Sequence, residues 1–404
     1  MLKNKLRSIC LYAFVVRIVA LIIVCTFSHL LTTGYLRSNM DSDDVRYEAG
    51  ALVYSQSAES IIDVSAFVSA YLSVGDNTGL SDSIAIWYWI MCVLMFILRD
   101  GITVKIVNII LGVGCVALIY KLCKFVYPDN KNIAEKAAKL YAFFPYPVFF
   151  SCFLYKDQFL TLIILFIMYI VYKYDTVFTP KRIIGLVLLM ALFTTLRSGL
   201  LPVLVAGIGL ILLKKPGIKI KFNLKTLSFL LFAVAVLYYL FGLYSEIITR
   251  KLEAYVLERA GSSDLEGSSI QYLLINDVWD IWKLPFSYVF TLVQPLYTGG
   301  RLINWESLVS VLNIVFIPVV VGNFVYIFKK KKGNPTLWLA IMLLYTVMLV
   351  VSMGVGRHFY YLLPFPIIFY VDYMYSFPAL ASITNKISFV LAFLYLCILT
   401  PSMI

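Results

Sequence analysis

The stretch Cys10-Leu11-Tyr12-Ala13-Phe14-Val15-Val16-Arg17-Ile18-Val19-Ala20-Leu21-Ile22-Ile23-Val24-Cys25 continues through Thr26 and His29 to Leu31 with a single charge, Arg17. A run of about 22 residues at about 1.5 Å each covers the roughly 30 Å of a bilayer's hydrocarbon core. It is continuous rather than alternating, so it reads as a helix and not as a barrel strand. Lys3, Lys5 and Arg7 precede it, as in a signal peptide. The run is too long for such a peptide's apolar region, and no small-residue cleavage site follows. The expectation is an uncleaved first helix with a cytoplasmic N-terminus.

Similar runs recur along the chain. They fall at 84–98, 102–124, 133–153, 157–174, 183–198, 200–213, 225–246, 284–298, 305–328, 336–354, 358–376 and 387–402. Of 404 residues, 61% are hydrophobic and 14% charged, against about a quarter charged in a soluble domain. A soluble enzyme, a disordered chain and a secreted disulfide scaffold are excluded. The seven cysteines lie in or beside apolar runs with no CxxC; they read as small buried hydrophobes. The expected fold is all-α and polytopic, a single integral membrane domain over 1–404 with about 11–13 transmembrane helices. Its outer segments fall at 32–83 and 247–304, with short loop helices.

The net charge of +12 would suggest nucleic acid on a soluble protein. Here it reads as orientation, because Lys and Arg gather in cytoplasmic loops, and no nucleic acid is expected. The lysines at 214–225 and 329–332 mark inner loops. If 84–98 does not cross, Lys121, Lys124, Lys131, Lys136 and Lys139 also fall inside, leaving Arg99 and Lys105 outside. The count favours a non-crossing 84–98, and 284–298, broken by Pro285 and Pro295, is read the same way. Lys156-Asp157 then lies on the outer face. In this arrangement 18 of the 22 carboxylates face outward.

Three aspartates, Asp41, Asp43 and Asp44, follow the first helix and precede Arg46 and Tyr47. A solvated acidic loop is one reading. The other is a membrane-face carboxylate that deprotonates an acceptor hydroxyl or binds a cation beside a phosphate leaving group. A phosphate substrate also needs arginines, which supply paired donors. Arg197 closes one apolar run and Arg357-His358 opens another, both at the expected outer face. Interfacial anchoring is the alternative for Arg357, and a helix cap is the alternative for Asp157. The two histidines, His29 and His358, make no zinc signature. No metal site is assigned, although a divalent ion is a candidate cofactor.

The segment Asp43-Asp44-Val45-Arg46-Tyr47 resembles the Asp-Glu-x-Arg-Tyr element of GT-C glycosyltransferases, which use polyprenyl-phosphate sugar donors. Lipid A aminoarabinose transferases and protein O-mannosyltransferases belong to them. The resemblance continues through Trp87-Tyr88-Trp89, through Lys105 to Asn108 and Gly112, and through Phe144-Pro145, Ser151 and Lys156-Asp157 to Arg357. The second acidic residue is Asp44 rather than Glu, and a Lys-Pro-Pro before Trp87 is missing. The resemblance implies a catalytic carboxylate at Asp43, with Asp44 and Asp157 beside it. It implies substrate-binding roles for Arg46, Tyr47, Lys156 and Arg357, and inversion at the anomeric carbon; Arg197 and His358 are substrate-binding candidates from their own position and residue type. The implied partners are a polyprenyl-phosphate-linked sugar, a glycan or glycolipid acceptor and membrane lipid, in a bacterial inner membrane with the active site outside.

Two other classes stay open. An O-antigen or capsule polymerase joining undecaprenyl-diphosphate-linked repeat units shares the size, the hydropathy and the outer loops. A non-catalytic transporter or flippase more often has repeated halves and midplane polar helices.

Overall fold

The computed structural model describes residues 2–32, 42–74, 85–173, 179–196, 204–205, 207–209, 211, 282–283, 317–328, 341 and 360–403. Every regular element among them is a helix. The order is α1 (Leu2–Thr32), α2 (Ser42–Ser57), α3 (Val64–Val74), α4 (Ala85–Leu98), α5 (Gly101–Val126) and α6 (Lys131–Phe143), followed by α7 (Pro145–Phe150), α8 (Asp157–Lys173) and α9 (Pro180–Leu196). Late in the chain come α10 (Ile317–Phe328), α11 (Pro364–Ser376) and α12 (Pro378–Met403). Two described helices are long and apolar enough to cross a membrane, over Asn4–Thr26 in α1 and Gly101–Val126 in α5. The expected runs at 225–246 and 284–298 and the segment at 247–283, apart from 282–283, lie outside the described residues.

α1 and α5 run antiparallel and form the spine. Lys5 lies near Tyr120, Arg17 lies against Gly112, and Cys25 lies near Lys105. α6 joins the Lys5 end, where Glu135 takes Lys5 at 2.9 Å and Lys139 at 2.7 Å. α8 packs along α5 in the same direction, with Tyr169 and Phe125 rings 5.7 Å apart. α10 packs on α11 and α12, and α11 on α6.

Local chemistry explains the breaks. Asp100 caps α5, its carboxylate accepting from the Thr103 amide at 2.8 Å. Arg99 at φ 56° makes the sharp corner between α4 and α5. α4 has 14 residues, about 21 Å of helix, shorter than a bilayer core. The segment 32–83 carries the α2–α3 pair, closed by buried Tyr54. Its hydroxyl donates to the Ile61 carbonyl at 2.8 Å and accepts from the Asp63 amide at 3.2 Å.

The run 133–153 is not one helix. Phe144 is extended (φ −67°, ψ 128°) because Pro145 follows it, and a residue before proline is driven out of the helical region. α6 therefore stops and α7 is a single short piece. The chain then turns at 151–156 into α8. α8 starts beside Gly112, with the Gln158 carbonyl accepting from Cys115 Sγ at 3.7 Å. Gly112 is the twelfth residue of α5, so α8 begins about 16 Å from that helix's start, near its middle.

Candidate functional site

Asp43 and Asp44 sit in the first turn of α2, where carboxylates are favoured by the helix dipole. The side chains of Asp43, Asp44 and Arg46 are outside the described residues, as are Arg197, Arg357 and His358 altogether. Tyr47, expected at the substrate, is instead buried at 2% exposure with its ring 6.5 Å from Tyr88. It belongs to the packing between α2 and α4. Gly50 lets these helices approach, since a Cβ there would fall 1.9 Å from the Tyr88 hydroxyl.

One turn beyond Asp44, Glu48 reaches α5. Its Oε2 lies 3.4 Å from Lys105 Nζ; the side chains are 23% and 3% exposed. This pair fixes the start of α2 against the Asp100 end of α5.

Lys156 and Asp157, expected on the outer face, are buried within the bundle, at 7% and 1% exposure. They stand where α8 begins, halfway along α5, because the break after Phe143 brings the chain back into the bundle there. The buried loop 151–156 needs donors for its carbonyls. Trp87 Nε1 donates to the Leu154 carbonyl at 2.8 Å, and Asn108 Nδ2 donates to Phe153. Trp87 also stacks on Phe159, with centroids 5.7 Å apart. Gln158 Nε2 donates to the Pro147 carbonyl at 3.0 Å and to the Tyr360 hydroxyl.

Arg17 enters this polar centre from α1. It is 0% exposed. Its Nη1 donates to the Ala142 carbonyl at 3.0 Å, at the interrupted end of α6, and to Ala13 at 3.1 Å. A cation at a helix C-terminus is favourable, so Arg17 supports the break. Tyr141, Tyr360, Cys115 and Cys152 lie near it.

The structure thus brings Trp87, Asn108, Gly112, Ser151, Lys156 and Asp157 to one centre, and all of these are legible as sequence motifs. Gln158, Tyr141 and Tyr360 were not singled out, being polar positions inside apolar runs. A second unforeseen group is Asp372 in α11, buried and accepting from Tyr326 Oη at 2.6 Å and Ser376 Oγ at 3.1 Å. Its signal is a lone acid in the run 358–376. Among the described residues no three His, Cys, Asp or Glu side chains converge in a metal-binding group.

No family model, no curated protein and no solved structure matches the chain.

Proposed function

We propose that the chain is a membrane-embedded glycosyltransferase. It moves a sugar from a polyprenyl-phosphate carrier to a cell-envelope glycan or lipid on the extracytoplasmic face of a bacterial inner membrane. The observation that carries this reading is the placement of Asp43-Asp44-Val45-Arg46-Tyr47. The segment opens a helix directly after the first membrane helix, and Glu48 ties that helix to Lys105 of α5. The chain is read as a multi-pass bundle of about 11–13 spans. The end shared by Lys5, Glu135 and Lys139 is cytoplasmic, and the end at Arg99 and Lys105 is outer. Helix α4, at 14 residues, fits the non-crossing role that the lysine count favours.

In this reaction Asp43 takes the proton from the acceptor hydroxyl. The freed oxygen attacks the anomeric carbon from the face opposite the phosphate. The bond from that carbon to the phosphate oxygen breaks, and the lipid phosphate leaves with the electron pair, inverting the carbon. Arg357 and Arg197 hold the phosphate as its charge grows, and Arg46 and His358 orient the sugars. A divalent ion on Asp43 and Asp44 would serve the same end.

Asp43→Asn should abolish glycan transfer while the protein still accumulates in the membrane; retained transfer overturns the assignment. Deletion of the protein should remove one sugar from a surface glycan. Loss of chain length beyond one repeat unit would replace this reading with a polymerase.

A further inference from the structure

We infer that the free face of the α2–α3 pair is a seat on lipid, with Ile61, Ile62, Val64 and Val68 lying in the bilayer surface at the outer end of α5. This rests on the reading of α5 as a membrane span, and it uses none of the residues assigned to glycosyl transfer. Ile62 is 71% exposed and Val64 63%, with Ile61 at 48% and Val68 at 47%. Val64 and Val68 stand one helical turn apart and so share a face of α3. The polar side chains beside them, Ser65 and Ser69, are small and uncharged. The other side of α3 is packed. Ala66 and Ala70 are buried, Phe67 meets the Trp89 ring at 4.4 Å, and Tyr71 meets the Tyr88 ring at 5.6 Å. None of the 11 residues of α3 carries a charge. A water-facing surface helix is apolar towards the core and polar outside. This one is apolar on both sides, and a grouped set of large exposed apolar side chains marks a contact surface.

The position of the pair says what covers this surface. Arg99 Nη1 donates to the Ser55 carbonyl and Lys105 meets Glu48, so α2 is held at two points against the start of α5. The apolar stretch of α5 begins there, at Gly101. Tyr54 brings the turn to the same place: its ring lies 6.2 Å from Phe96, and its hydroxyl donates to the Ile61 carbonyl. Ile97, next to Phe96, is another exposed apolar side chain at this corner. The tip therefore stands at the level where a crossing α5 enters the bilayer. An uncharged apolar surface at that level meets the boundary between headgroups and acyl chains. It offers no charge to specify a protein partner, whereas lipid requires only apolar area. Asp63 fixes the tip in advance, accepting from the Ser65 hydroxyl at 2.7 Å and the Ala66 amide at 3.0 Å. Seating the pair holds α2, the helix that opens with Asp43 and Asp44, at headgroup depth.

The test uses the full chain reconstituted in vesicles of phosphatidylethanolamine and phosphatidylglycerol. Cys10→Ser, Cys25→Ser and Cys397→Ser remove the exposed and half-buried thiols. A nitroxide is then attached through Ile62→Cys, Val68→Cys, Glu59→Cys or Val15→Cys, one site at a time. All four side chains are exposed, so none of these changes removes a buried contact. Collisions of the nitroxide with dissolved oxygen, which concentrates among acyl chains, are compared with collisions with a water-soluble nickel chelate. Val15, on the exposed face of α1, is the reference for hydrocarbon, and Glu59, in the turn between α2 and α3, is the reference for water. The oxygen-to-nickel ratio at Ile62 and Val68 should shift from the Glu59 value towards the Val15 value. A ratio no higher than that at Glu59 means that the tip faces water and overturns the seat. Low access to both probes means that protein covers the tip, and overturns it too. A nickel-rich Val15 would overturn the membrane reading itself, and the seat with it. Sugar transfer does not enter the measurement, so transfer that survives Asp43→Asn leaves the seat standing.

Discussion

Lys105 Nζ and Glu48 Oε2 lie 3.4 Å apart, and the two partners are unequally buried: the lysine side chain is 3% exposed and the glutamate 23%. That inequality makes the pair asymmetric to mutation. Glu48→Gln leaves a buried ammonium without its carboxylate, a change worth about 2–4 kcal/mol. Lys105→Met leaves a carboxylate that still reaches water, for about 1 kcal/mol. Thermal unfolding in detergent should show the larger loss for Glu48→Gln, with Glu48→Gln/Lys105→Met recovering part of it. A double variant whose loss equals the sum of the two single losses would mean that the two groups do not depend on each other.

Gly50 and Tyr88 should behave as one unit. The alanine methyl of Gly50→Ala would fall 1.9 Å from the Tyr88 hydroxyl. That ring cannot step aside freely, because Phe67 and Tyr71 pack on it at 5.5 and 5.6 Å. Overpacking of this kind costs about 1–3 kcal/mol. Tyr88→Phe removes the nearest of the clashing atoms and leaves Cζ at 2.7 Å and Cε2 at 2.9 Å, so Gly50→Ala should be milder, though not neutral, on that background. Strict additivity in the double-mutant cycle would refute the close approach.

Trp87→Phe keeps an aromatic ring, though a smaller one, and removes the donor to the Leu154 carbonyl. A buried carbonyl left without its donor costs about 1–3 kcal/mol. Amide exchange of 151–156, read by mass spectrometry, should quicken more than exchange in α1. Uniform exchange across both segments would show that Trp87 does not hold the loop.

Asp63 sets an acid limit on the α2–α3 pair. Amides of Ala66 and Glu59 and the Ser65 hydroxyl donate to its carboxylate and hold its pKa at about 2, below the ordinary 3.8. The folded value is depressed, so the stabilisation is complete above pH 3.8 and disappears as pH falls towards about 2, where both states are protonated. Asp63→Asn should flatten this part of the pH–stability profile, measured by unfolding from pH 6 downward. An unchanged acid limb would exclude Asp63 as its source.

The helical class and the separate helices of the early chain are readable because apolar runs and caps are local signals. Asp100 lies between two apolar runs in the sequence and caps a helix in the structure, whereas Pro145 falls inside the single run 133–153 and the break before it shows only in the structure. The first helix begins earlier than its apolar run, at Leu2, since Asn4, Lys5 and Arg7 are polar without breaking a helix. The burial of Asp157 is not readable in the sequence. An aspartate before an apolar run looks the same whether the helix starts at the surface of the bundle or inside it, and the folding back of 144–156 puts this one inside. The burial of Tyr47 is hidden for a related reason: a motif names a residue type, whereas packing against Tyr88 depends on a partner 41 positions away. Arg17 stood out as a charge in an apolar run, but its partner, the carbonyl of Ala142, is a backbone atom that no side-chain pattern announces.

The interruption after Phe143 also constrains how the protein is made. On the proposed membrane reading, a segment that exposes free carbonyls at Ala142, Phe153 and Leu154 cannot be released alone into lipid. The donors that satisfy them come from Arg17, Trp87 and Asn108, all on helices that leave the ribosome earlier. The order of synthesis therefore matches the order of need: α1, α4 and α5 must already stand together as a receiving surface when the broken segment emerges.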